Sequence, residues 1–143
     1  MTGLTLLVVE DHDDSREMLR QMLTAVGARV LVAEQGAHAL AILAREHPDV
    51  ILLDLLMPVM DGFVFAQHVQ RERRWVDIPI IAVTALGEIQ DYLRTWQEGL
   101  AGHLTKPVGQ AELVSVIQRV TTGRRASQTR RRRIAGRGPE PPR

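Results

Sequence analysis

Cysteine is absent from the chain, which excludes disulfides and thiolate metal sites and fits a reducing compartment. Aromatic residues make up only 3% of the 143 positions, so a core has to be built from aliphatic side chains, and these suffice for one compact domain. The apolar runs fall far short of a membrane span, and no charged leader with an apolar core and cleavage site opens the chain. The expectation is a soluble cytoplasmic protein with no membrane insertion. A G-x-x-x-x-G-K phosphate loop is also missing, and with it the cradle that nucleotide hydrolysis needs.

What is present is charge, unevenly spread. From Gly123 onward eight arginines face one glutamate, net +7, whereas residues 1–122 carry net −6. The reading is an acidic domain over residues 1–122 and a basic tail over 123–143. With few apolar residues, the run Arg130–Arg133 and a Pro-rich end, the tail is expected to be disordered.

Within the domain, strands and helices alternate. Leu4–Val9 is an aliphatic run of the kind buried on both faces of a parallel sheet. Met18, Leu19, Met22, Leu23 and Val26 make one stripe of a helix over Ser15–Val26, with Asp13 or Asp14 as its cap and Gly27 as its stop. Arg29–Glu34 reads as a strand, Gly36–Glu46 as a helix halted by Pro48, and Asp49–Asp54 as the third strand. A helix opening at Asp61–Gly62 runs to about Arg73, Ile78–Thr84 is the fourth strand, and Glu88–Glu98 is a helix ended by Gly99. Ala101–Thr105 is a short fifth strand, and Leu113, Val116, Ile117 and Val120 mark the last helix. The pattern predicts an α/β fold, a doubly wound five-stranded parallel sheet with helices on both faces and ligands bound at the carboxyl ends of the strands.

Those strand ends carry the polar residues. Strand one ends at Glu10 and Asp11, strand three at Asp54, strand four at Thr84 and strand five at Lys106. Asp54 sits inside the otherwise apolar run Val50–Met57, and an ionised carboxylate in an interior survives only when paired, hydrogen-bonded or bound to metal. Three converging carboxylates repel one another unless a cation joins them, and all-oxygen ligation points to Mg²⁺. A lysine and a threonine beside that cation complement an anion. Together these groups suit phosphoryl transfer onto Asp54, with Lys106 countering the phosphoryl charge and Thr84 donating to one of its oxygens.

Four stretches, LLVVEDHDDSREML, DVILLDLLMPVMDG, IPIIAVTAL and HLTKP, in this order and spacing resemble the receiver domain of bacterial two-component response regulators over about residues 4–121. The resemblance implies the flavodoxin-like strand order 2-1-3-4-5. It implies that Asp54 accepts a phosphoryl group from a phosphohistidine of a histidine kinase or histidine phosphotransfer protein, and from small phosphodonors. Asp11, Asp54 and the backbone carbonyl of Leu56 would ligate Mg²⁺, with Glu10 acting mainly through water. A cis bond before Pro107 would hold Lys106. The output would be a changed affinity for a downstream partner, or a phosphorylation-dependent homodimer, at the face formed by the fourth helix, fifth strand and fifth helix.

The sequence departs from the family pattern at several positions. The switch position, three residues before Lys106, is commonly tyrosine or phenylalanine and here is His103. Two readings are open: a smaller, titratable ring that weakens the inward state or makes it pH-dependent, and a plain, partly exposed histidine. Leu56 and Leu86 stand at positions whose side chains in this family flank the path of the hydrolytic water; the resemblance implies that apolar residues there cannot orient it, which predicts slow autodephosphorylation. Tyr92 and Trp96, spaced i, i+4, are candidates for an exposed partner-binding stripe, although burial of Trp96 in the core is the favoured reading. His12 reads as a solvent-facing loop residue and not a metal ligand.

Other functions compete. The haloacid dehalogenase phosphatases also use an aspartyl nucleophile with Mg²⁺, but they require a second acid where this chain has Leu56, so the expectation is a phosphoacceptor and not an enzyme. The alternative function is a receiver-regulated nucleic-acid-binding protein acting through the arginine tail, with salt-dependent and largely sequence-independent contacts.

Overall fold

The computed structural model of the chain describes residues 1–57, 60–85 and 89–136, with backbone alone at 89–92 and 124–136. Its elements are β1 (Thr5–Val9), α1 (Asp13–Ala25), β2 (Arg29–Ala33), α2 (Gly36–Leu43), β3 (Val50–Asp54), α3 (Gly62–Arg71), β4 (Ile80–Thr84), α4 (Ile89–Gln97), β5 (Gly102–Thr105) and α5 (Gln110–Gly136). The strands form one parallel sheet in the order β2-β1-β3-β4-β5, as expected.

Successive residues of a strand point to opposite faces, and here both faces are buried. Leu7, Val9, Ile51, Leu53, Ile80 and Ala82 face a core completed by Ala39, Ile42 and Leu43 of α2 and Phe63, Ala66 and Val69 of α3. Their neighbours Leu6, Val8, Leu52, Ile81, Val83 and Leu104 face a second core completed by Leu19 and Leu23 of α1 and Leu113, Val116 and Ile117 of α5. Burying each of the valine, leucine, isoleucine and phenylalanine side chains stabilises the fold by roughly 1.5–3 kcal/mol. The two-sided aliphatic strands therefore force the double winding. The chain leaves β1 toward β2 and returns to β3 on β1's other side, which opens a crevice at the carboxyl ends of β1 and β3.

Helix ends follow the sequence at most places. Gly27 takes φ 92 after α1 and Gly99 takes φ 76 after α4, a left-handed conformation that a side chain disfavours. Asp61 caps α3, its Oδ1 accepting from the Val64 N–H at 2.9 Å. At α1 the expectation is corrected. The N-cap is His12 with no side-chain cap, and Asp13 lies within the first turn, where it pairs with Arg16. Early acidic residues favour that turn through the helix dipole without capping it.

Two further differences concern the tryptophans and the tail. Trp96 is 47% exposed, and the tryptophan that joins the core is Trp75. The backbone of α5 does not stop near Thr122 but remains helical to Gly136, which differs from the expected disorder of residues 123–136. No proline falls between Pro107 and Pro139, and arginine, glutamine and alanine are good helix formers. Residues 137–143 lie outside the described residues.

Candidate functional site

β1 and β3 pair in register up to Val9 and Leu53, so Glu10 and Asp54 leave the sheet at the same level. Glu10 is 1% exposed and Asp54 6% exposed. Lys106 reaches both from the end of β5, its Nζ 2.7 Å from Glu10 Oε1 and 3.7 Å from Asp54 Oδ2. The Leu56 N–H donates to Asp54 Oδ1 at 3.0 Å. Arg16 donates to the carbonyl oxygens of Glu10, at 3.1 Å, and Asp11, at 3.5 Å, tying the first turn of α1 to the β1 end.

β4 and β5 supply the other half of the rim. Thr84 is buried, and its Oγ1 lies 3.1 Å from Nε2 of the half-buried His103. The Lys106 N–H donates to the Thr84 carbonyl at 2.7 Å, and the Lys106–Pro107 peptide is cis, as the resemblance implies.

Carboxylate oxygens of Glu10, Asp11 and Asp54 all lie within 4.8 Å of one another. One ammonium cannot neutralise three carboxylates at that separation. Asp54 registers the imbalance, its carboxyl being pushed from 3.8 up to about 6, by burial first and then by the Glu10 carboxylate beside it. The Leu56 N–H and Lys106 pull the other way without cancelling this. Glu10 Oε2 is buried and has no hydrogen-bond partner among the described residues. A crowded all-oxygen donor set with an orphaned buried oxygen fits a hard divalent cation that keeps several waters.

The close approach of α3 to β3 fixes Asp54 from below. A Cβ on Gly62 would fall 2.6 Å from both the Asp54 carbonyl oxygen and the Leu55 Cα, so only glycine fits, and the Gly62 N–H donates to the Leu55 carbonyl at 3.0 Å. Beyond Lys106 a cleft of about 300 Å³ opens between α1 and the β5–α5 turn, lined by Ser15, Met18, Leu19, Pro107 and Val108.

The residues expected from the sequence thus gather as one group: Glu10, Asp11, Asp54, Leu56, Thr84 and Lys106, with His103 joined through Thr84. His12 is exposed, as expected. Trp96 stands apart on α4, and the side chain of Tyr92 and all of Leu86 lie outside the described residues. Three contributions went unread: the pairing of Glu10 with Lys106, the grip of Arg16 and the close approach at Gly62. Only the last had a sequence signal, a glycine directly after a cap residue.

A doubly wound sheet whose crevice holds a buried aspartate among carboxylates and one lysine, with no glycine-rich phosphate loop, defines an α/β module centred on that aspartate. The profile of the response regulator receiver domain matches residues 6–118, and the chain belongs to that family. It is 38% identical over 118 residues to an uncharacterized 14.6 kDa protein in the sodA1 3′ region of Leptolyngbya boryana, covering 82% of this chain and 90% of that protein. It is 37% identical over 120 residues to the phosphate regulon transcriptional regulatory protein PhoB of Pseudomonas aeruginosa, covering 84% of this chain and 52% of PhoB. Among solved structures it resembles the receiver domain of the sensor histidine kinase PA1611 from P. aeruginosa, with a magnesium ion coordinated in its active-site cleft. That match has TM-score 0.78 and 31% identity, and covers 85% of this chain and 99% of that one. The chain spans about half the length of most curated relatives it matches.

Proposed function

We propose that Asp54 is the phosphoacceptor of this receiver, charged by a phosphohistidine on a histidine kinase or histidine phosphotransfer protein. The observation that carries the reading is a buried aspartate, crowded by two other carboxylates yet within 3.7 Å of Lys106. In the transfer, an Asp54 oxygen forms the new P–O bond as the P–N bond of the donor breaks, its electron pair returning to the imidazole nitrogen. Lys106 lies where it balances charge on the phosphoryl oxygens, and Thr84 offers a hydroxyl proton to one of them.

Asp11, Asp54 and the Leu56 carbonyl would hold Mg²⁺, with Glu10 acting mainly through water. Bound there, the cation would neutralise the carboxylates and the incoming phosphoryl oxygens. Glu10 holds Lys106 in place by its 2.7 Å contact.

The chain acts as an acceptor and not as a phosphatase, because Leu56, 59% exposed two residues beyond Asp54, offers no second acid and cannot orient a water. The aspartyl phosphate is therefore long-lived. The open cleft between α1 and the β5–α5 turn, with Met18 exposed at its edge, supports docking of the phosphodonor there. Leu93 and Trp96, exposed on α4, supply the surface for a downstream partner or a second copy. No described helix is long and apolar enough to cross a membrane, which is compatible with action in the cytoplasm.

Intact mass after incubation with acetyl phosphate and Mg²⁺ tests the reading. The expected result is one phosphoryl adduct, absent without Mg²⁺ and absent from Asp54→Ala. An adduct that persists in Asp54→Ala would overturn the assignment, and a half-life of seconds would overturn the argument from Leu56.

A further inference from the structure

The contact between Thr84 and His103 joins two groups with limited protons. Register places them on one face of the sheet: Ala82 pairs with His103 and Thr84 with Thr105, so His103 lies diagonally behind Thr84, while Val83 and Leu104 point into the opposite core. Thr84 is only 2% exposed. That hydroxyl carries a single proton, and Nε2 of the ring either accepts it or donates its own. If Nε2 accepts, Thr84 turns lone pairs toward the rim, which repels an anion. If Nε2 donates, the threonine proton is free to point at the rim.

We propose that His103 is a positioning residue for Thr84, and that phosphorylation of Asp54 commits it to the Nε2–H form. A donor chain then runs from Nε2–H to Oγ1 and from the Thr84 hydroxyl to a phosphoryl oxygen. Neighbouring hydrogen bonds polarise one another, so the ring strengthens a donor it never shares with the phosphoryl group. Phenylalanine at 103 cannot supply this bond, whereas the amide of glutamine can. The inference rests on Asp54 being the acceptor.

The test uses the ¹⁵N-labelled full chain, with beryllium fluoride and Mg²⁺ as a phosphoryl analogue. A bound ¹⁹F signal reports occupancy, and long-range ¹H–¹⁵N spectra report which imidazole nitrogen carries the proton. The expected result is a protonated His103 Nε2 in the occupied protein. His103→Phe should bind the analogue about tenfold more weakly, the scale of one hydrogen bond in the chain, with His103→Gln recovering most of the loss. An occupied site with Nε2 unprotonated, or equal affinity in a folded His103→Phe, overturns the proposal. No bound ¹⁹F signal in the folded wild type, together with no acetyl phosphate adduct, would remove the acceptor reading and this proposal together. That failure is distinguishable from occupancy with the wrong nitrogen protonated.

Discussion

The two halves of the rim solve opposite problems. On β1 and β3 the groups are charged and unbalanced: three carboxylates crowd together, the two buried ones, Glu10 and Asp54, share one lysine, and Glu10 Oε2 has no partner among the described residues. On β4 and β5 the contact between Thr84 and His103 needs no net charge. The first half stores an electrostatic penalty that a ligand relieves, while the second keeps a hydrogen bond whose direction a ligand sets. Function in such a site is divided between a part held away from its comfortable state and a part already at rest.

The largest expected effect breaks the unbalanced half. A carboxyl raised from 3.8 to about 6 binds its proton more tightly in the folded state, so stability falls as pH rises through that window and stays lowered above it. Discounted for solvent screening, the penalty at pH 7 is about 2–3 kcal/mol. Asp54→Asn is therefore expected to raise the metal-free stability at pH 7 by about 2–3 kcal/mol and to flatten its slope between roughly pH 4 and 6. Urea unfolding across pH measures both, and a variant less stable than wild type at pH 7 would contradict the account.

Next, Lys106→Met removes the only described cation within ion-pair distance of Glu10 and Asp54. Breaking a fully buried pair costs about 3–5 kcal/mol, and with the Lys106 side chain 27% exposed a loss of about 2 kcal/mol is expected at pH 7. The same unfolding assay reads it. Mg²⁺ should act in the opposite direction, stabilising the wild type by about 1.4 kcal/mol at tenfold excess over Kd. That gain should fade below about pH 6, where the Asp54 proton competes, and should shrink in Asp11→Asn. Thermal unfolding with and without the metal checks this.

The smallest effect belongs to the resting half. Thr84→Val deletes one neutral hydrogen bond and should cost about 1 kcal/mol, with little change in the pH slope. A larger loss, or a changed slope, would show that the halves are not separable.

Much of this division was legible in the sequence because strand ends are fixed by aliphatic runs. Val50–Leu53 and Ile80–Val83 leave no other place for Asp54 and Thr84, and Gly27 and Gly99 mark helix ends by a conformation other residues disfavour. What eluded the sequence was pairwise. That Lys106 would prefer Glu10, or that Thr84 would meet His103, depends on register between β4 and β5 and on side-chain reach, neither of which a one-dimensional pattern specifies. Trp96 shows the same limit: an apolar stripe says a helix has a face, and only the packing of α4 decides that Trp96 lies outside it. The last helix outran its expected end because a polar, arginine-rich composition argues against a core without arguing against helical backbone.

Gly62 gives β3 a hard stop. With α3 seated against the Asp54 carbonyl at a distance no Cβ tolerates, the main chain under the aspartate has nowhere to yield in that direction. Any side chain introduced at Gly62 would have to lift the floor under Asp54 before it could be seated, so a change on α3 would be felt at the rim.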